Sequence, residues 1–174
     1  MKKLLIILVI FMATINESIA ANTLSKRQLH LATLASLEAQ GDLDRLAPAI
    51  NEALDGGVTI NEIKEAFSQL YAYTGFPRSL NALGTLSKVL DARKAEGKKD
   101  DEGKAWKRPK VWDDAKLALK KGTETQTKLS GKPFNYDFCP QDDYYLKAHL
   151  FGDIFAGDHL SASDREIVTV AALA

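Results

Sequence analysis

The sequence predicts an all-α fold, an antiparallel helical bundle. From Thr23 to about Arg93 the apolar residues recur at helical spacing, and no alternating run bounded by turns reads as a strand. Two tetrads, Ser25-Lys26-Arg27-Gln28 and Thr59-Ile60-Asn61-Glu62, have the form of capping boxes. In each, the hydroxyl accepts the amide three residues on, and the fourth side chain reaches back to the first amide.

The first helix runs from this serine cap through Leu31, Leu34, Ala35 and Ala39 to Gly41. Pro48 fits the first turn of a second helix, where its missing amide would be unpaired anyway, and Leu46, Ile50, Ala53 and Leu54 form its buried stripe. Gly56-Gly57 ends it. In the third helix Ile63, Phe67, Leu70 and Tyr71 share a face before Gly75 stops it. Pro77 then opens a fourth, carrying Leu80, Leu83, Leu86 and Leu90. Short connections make sequential neighbours antiparallel.

Before the bundle, Lys2 and Lys3 precede an apolar run from Leu4 to Ala13, followed by polar residues and then the small Ser18 and Ala20. Residues 1–20 therefore read as a secretory signal peptide cleaved after Ala20, and the run is too short for a membrane span. Without Lys2, Lys3 and Glu17, 21 basic and 22 acidic side chains remain. The expected product is exported and nearly neutral, with no membrane span. Balanced charge argues against a nucleic-acid partner, which would call for a basic excess. The single cysteine, Cys139, excludes a disulfide framework within the chain.

After the first unit, residues 21–96, the segment 97–141 reads as a basic connector. Between Lys98 and Lys132 there are eleven Lys or Arg against six Asp or Glu. Trp106, Trp112, Leu117 and Leu119 suggest that Val111 to Lys121 is helical and packs on the bundle. Asp142 to Ala156 reads as another amphipathic helix. Residues 160–173 then align without gaps on 24–37, with five of fourteen positions identical. Residues 142–174 thus read as the start of a second unit that stops in mid-helix, as in a fragment of a longer two-repeat protein or a shortened one.

Several stretches carry a family resemblance: Leu24-Ser25 opening a helix, Ala53-Leu54-Asp55-Gly56-Gly57-Val58-Thr59, Asn61-Glu62-Ile63-Lys64-Glu65, and Tyr73-Thr74-Gly75-Phe76-Pro77-Arg78-Ser79. Over about Leu24 to Leu90 the chain resembles the carboxymuconolactone decarboxylase family, within the alkyl hydroperoxidase D-like superfamily. Tyr144 to Ala174 resembles the opening of a second family unit, particularly at Leu160-Ser161 and Asp164-Arg165-Glu166. The resemblance implies a bundle of the alkyl hydroperoxidase D-like type that forms homo-oligomers through helix faces, commonly trimers or hexamers.

It also implies what chemistry to look for. Peroxidase members resemble one another in a glutamate, a Cys-x-x-Cys and a histidine, because peroxide reduction needs an attacking thiolate and a resolving thiol. Here those positions fall on His30, Asp42, Arg45 and Ala49, so thiol peroxidase activity is not expected. Decarboxylase members look cofactor-free. Loss of CO2 from a lactone acid leaves an electron pair that must move into a carbonyl, so the site needs a cation or acid there and a proton donor at carbon.

His30, Arg78 and Tyr73 are the candidate residues, with Arg78 able to grip a carboxylate at two points. The bland readings are a packed histidine, a capping or salt-bridging arginine and a core tyrosine. His149 and His159 lack metal-ligand spacing, so no metal is expected, and no cofactor. Two functional classes stand: a carboxy-lyase acting on a small carboxylate or lactone, and a degenerate non-catalytic repeat kept for assembly.

Overall fold

The computed structural model describes residues 23–174. Its helices are α1 (Lys26–Gln40), α2 (Leu43–Asp55), α3 (Ile60–Thr74), α4 (Phe76–Ala95), a 3-10 turn (Lys110–Asp113), α5 (Ala115–Ser130), α6 (Pro140–Tyr144), a π-helix (Tyr145–Ile154) and α7 (Ala162–Leu173). Among the described residues there is no strand, so the fold is all-α as the periodicity predicts. The leader read at residues 1–20 lies outside the described residues.

Both expected capping boxes form, at Ser25 with Gln28 and at Thr59 with Glu62. A third forms at Ser161 with Asp164 and starts α7. These boxes satisfy amides that a helix leaves unpaired, which fixes where α1, α3 and α7 begin. The core combines Leu31, Leu34 and Ala35 of α1, Leu46 and Ile50 of α2, Ile63, Ala66, Phe67 and Leu70 of α3, and Ala82 and Leu86 of α4. Leu160 and Val168 join the same core. Residues 142–174, read from sequence as the start of a second unit, thus place their last helix against α1 and α3.

Charge and hydrogen bonding lock that helix. Arg27 on α1 pairs with Glu62 at 2.6 Å and with Asp164 at 3.0 Å, while Gln28 donates to Asp164 at 3.2 Å. Burial pushes the Asp164 carboxyl upward, but hydrogen bonds from Ser161, Arg27 and Gln28 outweigh it and hold the pKa below its ordinary value. At the same end of the bundle, where α2 and α4 finish, the buried Arg93 of α4 reaches Asp55 at 2.7 Å, Asp100 at 2.6 Å and Asn51 at 3.1 Å. Hydrogen bonding to Asp100, then to Asp55, raises its pKa. One guanidinium therefore joins α2, α4 and the strap that follows α4, residues 96–114.

Four local expectations are corrected. Pro48 is not in the first turn of α2, because Asp42 caps the helix at Leu43 by accepting the Arg45 amide. It lies inside the helix on an exposed face, where the carbonyl left without an amide partner can turn to water. On α4 the buried stripe is Ser79, Ala82, Leu86 and Val89, whereas Leu80 is exposed and Leu83 and Leu90 are half-buried. The apolar face of α4 is wider than its core-facing stripe, and the surplus lines a cleft. The helix expected at Val111 to Lys121 begins instead at Ala115, capped by Asp114, and continues to Ser130. Asp142 to Ala156 is not one α-helix but a short α6 followed by the π-helix.

The last two corrections share a cause. A side chain at Gly122 would overlap the carbonyl oxygen of Lys147 and come within 2.7 Å of the Gly152 amide, and one at Gly152 would overlap the Ala118 carbonyl. α5 and the π-helix therefore meet backbone to backbone through Ala118, Gly122, Ala148 and Gly152. A connector rich in Lys and Thr is ordered by shape rather than by large apolar residues. Gly122→Ala should lower the urea unfolding free energy by about 1–3 kcal/mol through overpacking. Gly84→Ala, at an open helical position, should instead raise it by about 0.5–1 kcal/mol.

Candidate functional site

A cleft of about 1120 Å³ opens between α3, α4, the strap and the π-helix. Its apolar wall is the surplus face of α4, Leu80, Leu83 and Leu90, extended by Phe76 and Ile154. Tyr71 stacks on Phe76 with ring centroids 4.2 Å apart and planes within 12°. Trp106 and Trp112 stand 6.0 Å apart on the strap, and the Trp112 indole donates to the Asp153 carbonyl at 3.1 Å. Two aromatic pairs from different segments thus line one space.

The polar wall is built around Glu65 of α3. Its Oε2 lies 2.6 Å from His159 Nδ1 and accepts the His159 amide at 3.2 Å, and its Oε1 accepts the Leu160 amide at 3.2 Å. Arg165 of α7 forms an ion pair with the same Oε1. It also donates to Gln69 at 2.8 Å and to the Gly157 carbonyl at 3.0 Å. Burial lowers the Arg165 pKa, with Glu65 opposing that effect. His159 Nε2 sits 3.0 Å from the Lys104 carbonyl, so both ring nitrogens of this imidazole face oxygen atoms. A side chain on Gly157 would reach within 2.6 Å of Glu65 Oε2, so only glycine permits this approach.

His149 and Asp153 lie one turn apart on the π-helix, with Nδ1 2.9 Å from Oδ2. A carboxylate on one ring nitrogen fixes the imidazole and leaves Nε2 for proton transfer. His149 and Tyr71, 5.7 Å apart by ring centroid, also line a second cavity of about 580 Å³ with Phe134, Tyr136 and Tyr145. Lys64 and Lys107 add cations to the large cleft.

None of the three sequence-predicted residues lines that cleft. His30 is half-buried, with its ring over Gly56 at the end of α2. Arg78 is exposed at the start of α4, where its charge acts on Glu38. Burial raises the Glu38 pKa against the Thr74 hydroxyl and Arg78, and its Oε2 has no hydrogen-bond partner. Tyr73 is half-buried beside Thr169, and its pKa is raised chiefly by burial. Sequence reasoning missed Glu65, Arg165, His149 and Asp153 as site residues. The i,i+4 spacing of His149 and Asp153 was readable, but Glu65 and Arg165 meet only through the tertiary fold. Among the described residues no cluster of three or more His, Cys, Asp or Glu is arranged to hold a metal, and no helix is long and apolar enough to cross a membrane.

Fold and cleft together define a helical bundle with a ligand-sized apolar cleft and a buried polar wall. Residues 8–88 match the sequence model of the Carboxymuconolactone decarboxylase family, which supports a protein of that type at family level. The matched stretch spans α1 to α3 and most of α4, and begins inside the segment read as a leader. No curated protein matches the chain.

Removing the Glu65 charge should expose how much the polar wall carries. Glu65→Gln leaves Arg165, with a side chain 2% exposed, short of its carboxylate. The expected loss of unfolding free energy is about 3–5 kcal/mol. Lys104→Ala, which removes the exposed pair with Asp158, should cost no more than about 1 kcal/mol in the same denaturant titration.

Proposed function

We propose that the chain is a carboxymuconolactone decarboxylase-like carboxy-lyase acting without a cofactor on a carboxylate or lactone acid held in the large cleft. The observation that carries the reading is the oriented His149–Asp153 pair facing an apolar cavity that also holds Lys64 and Lys107. In the proposed step the bond between the substrate carbon and its carboxylate breaks and CO2 leaves. The freed electron pair moves through the conjugated system into the lactone carbonyl. A lysine ammonium stabilises the charge on that oxygen. His149 delivers a proton to carbon from Nε2 and is reprotonated by solvent, with Asp153 holding the ring. No thiol takes part. The order of charged, apolar and small residues in 1–20 supports export, and the exposed Val170 and Leu173 on α7 support assembly into a homo-oligomer through a helix face.

The alternative site is the set His30, Arg78 and Tyr73. One observation favours it: the buried Glu38, with an unpartnered oxygen, lies within the field of Arg78. Release of CO2 from a conjugated lactone carboxylic acid discriminates the readings. His149→Ala should lower kcat about 100-fold or more, with Arg78→Ala and His30→Ala near wild type. The reverse pattern moves the chemistry to the second set. Absence of CO2 release from the folded wild-type chain overturns the lyase reading and supports a non-catalytic repeat kept for assembly.

A further inference from the structure

We infer that the cleft is a binding site for carboxylates with a bulky, fused-ring apolar body, rather than for a compact acid of a single small ring. The inference deepens the reading above and rests on it for the carboxylate. Three observations carry it.

The first is size. At about 1120 Å³ the cleft is slightly larger than the sites that enclose drug-sized molecules, which span about 300–1,000 Å³. A one-ring acid would leave most of it to water, against an apolar wall.

The second is the arrangement of that wall. Tyr71 and Phe76 form a nearly parallel stack where α3 passes into α4, and Trp106 and Trp112 face the same space from the strap. Planar side chains presented from two segments suit a planar body, because offset stacking and edge contacts reward flat surfaces beyond the area they bury. Phe76 is 60% exposed, Leu80 61% and Trp106 58%, so a large apolar surface is left for a ligand to cover. Such surface marks a ligand groove or contact site rather than ordinary exterior.

The third is charge. Three of the four carboxylates on the cleft wall are engaged, Glu65 by Arg165 and His159, Asp153 by His149, and Asp158 by Lys104, while the fourth, Asp91 near the end of α4, is exposed to solvent. Lys64 has only a 3.5 Å contact with the neutral Asn61 amide oxygen, and Lys107 acts on Asp158 only through the Coulomb field. An anionic head is therefore better accommodated than a cationic one. Of Lys64 and Lys107, one meets the ligand's carboxylate and the other its carbonyl oxygen, and the ring system runs along Leu80, Leu83 and Leu90.

The chain's two tryptophans both line the cleft, so intrinsic fluorescence reports directly on occupancy. Titration of the full chain with pyrenebutyrate should quench tryptophan emission and excite pyrene by energy transfer. Its neutral methyl ester and benzoate should each bind at least tenfold more weakly. The double substitution Lys64→Ala and Lys107→Ala should weaken the acid at least tenfold and leave the ester unchanged. Leu83→Asp should weaken acid and ester alike, with circular dichroism confirming the helical fold.

Equal affinity for acid and ester, or for pyrenebutyrate and benzoate, overturns the inference. So does quenching that is insensitive to the lysines. Affinity that falls as protein concentration rises would show a second copy covering the cleft and would also overturn it. Binding as described without CO2 release defeats only the lyase reading. Turnover of a small lactone acid with no binding of the fused-ring acid defeats only this one.

Discussion

The carboxylate of Glu65 is the constraint on which the cleft depends. It takes an arginine, an imidazole and two backbone amides, all from residues 159–165, which lie far away in sequence. Two of these partners are the Arg165 guanidinium and the His159 imidazole, whose side chains are only 2% and 4% exposed. A charge placed so deeply is expensive unless its partners are complete. Here they are, since Gln69 and the Gly157 carbonyl take up the rest of the guanidinium. The arrangement specifies a single position for the turn before α7, because the two amides can reach Glu65 only from there.

From that point the architecture spreads in both directions. α7 enters the core through Val168 and is tied to α1 through Asp164, so the first and last helices share one hydrophobic interior. The strap is drawn in on the other side. His159 contacts the Lys104 carbonyl, and the Ile60 and Asn61 amides at the start of α3 donate to Asp101 and Glu102. With its base held there and its Trp112 indole bonded to Asp153, the strap presents both tryptophans to α4. The cleft is thus a consequence of how two long-range segments are pinned, while its floor belongs to the four-helix unit that matches the family.

What could be seen in the sequence was local. Ser25 with Gln28 and Thr59 with Glu62 announce helix starts because the capping chemistry lies within four residues, and the structure places both as read. The Leu periodicity of α4 predicts the helix and a face that meets the core at Leu86, with Leu83 and Leu90 packed at its edge and only Leu80 turned out. Leu80 and Leu83 are as apolar as Leu86, and only the surrounding elements decide which of them meets the core. The α5 contact with the π-helix was invisible for the opposite reason: Gly122 and Gly152 contribute space, and an absence of side chain carries no hydropathy signal. Of the site, the aromatic residues of the strap stand out in the sequence, because they are large apolar residues in a polar segment. Glu65 stands in the sequence three residues after Glu62, which closes the capping box, and nothing local marks it as the partner of a distant arginine. The resemblance to the family points to His30, Arg78 and Tyr73, whereas the cleft takes other positions of the same unit, Lys64, Glu65, Tyr71 and Phe76 among them, and completes its wall from the strap and the C-terminal third.

Native-state hydrogen exchange tests this dependence without altering the molecule. If the Glu65 carboxylate anchors the turn before α7, the amides of His159 and Leu160 are protected and exchange together with those of α3, although they lie outside any helix. Exchange of these two amides at the rate of an open loop, with α3 still protected, would contradict the account.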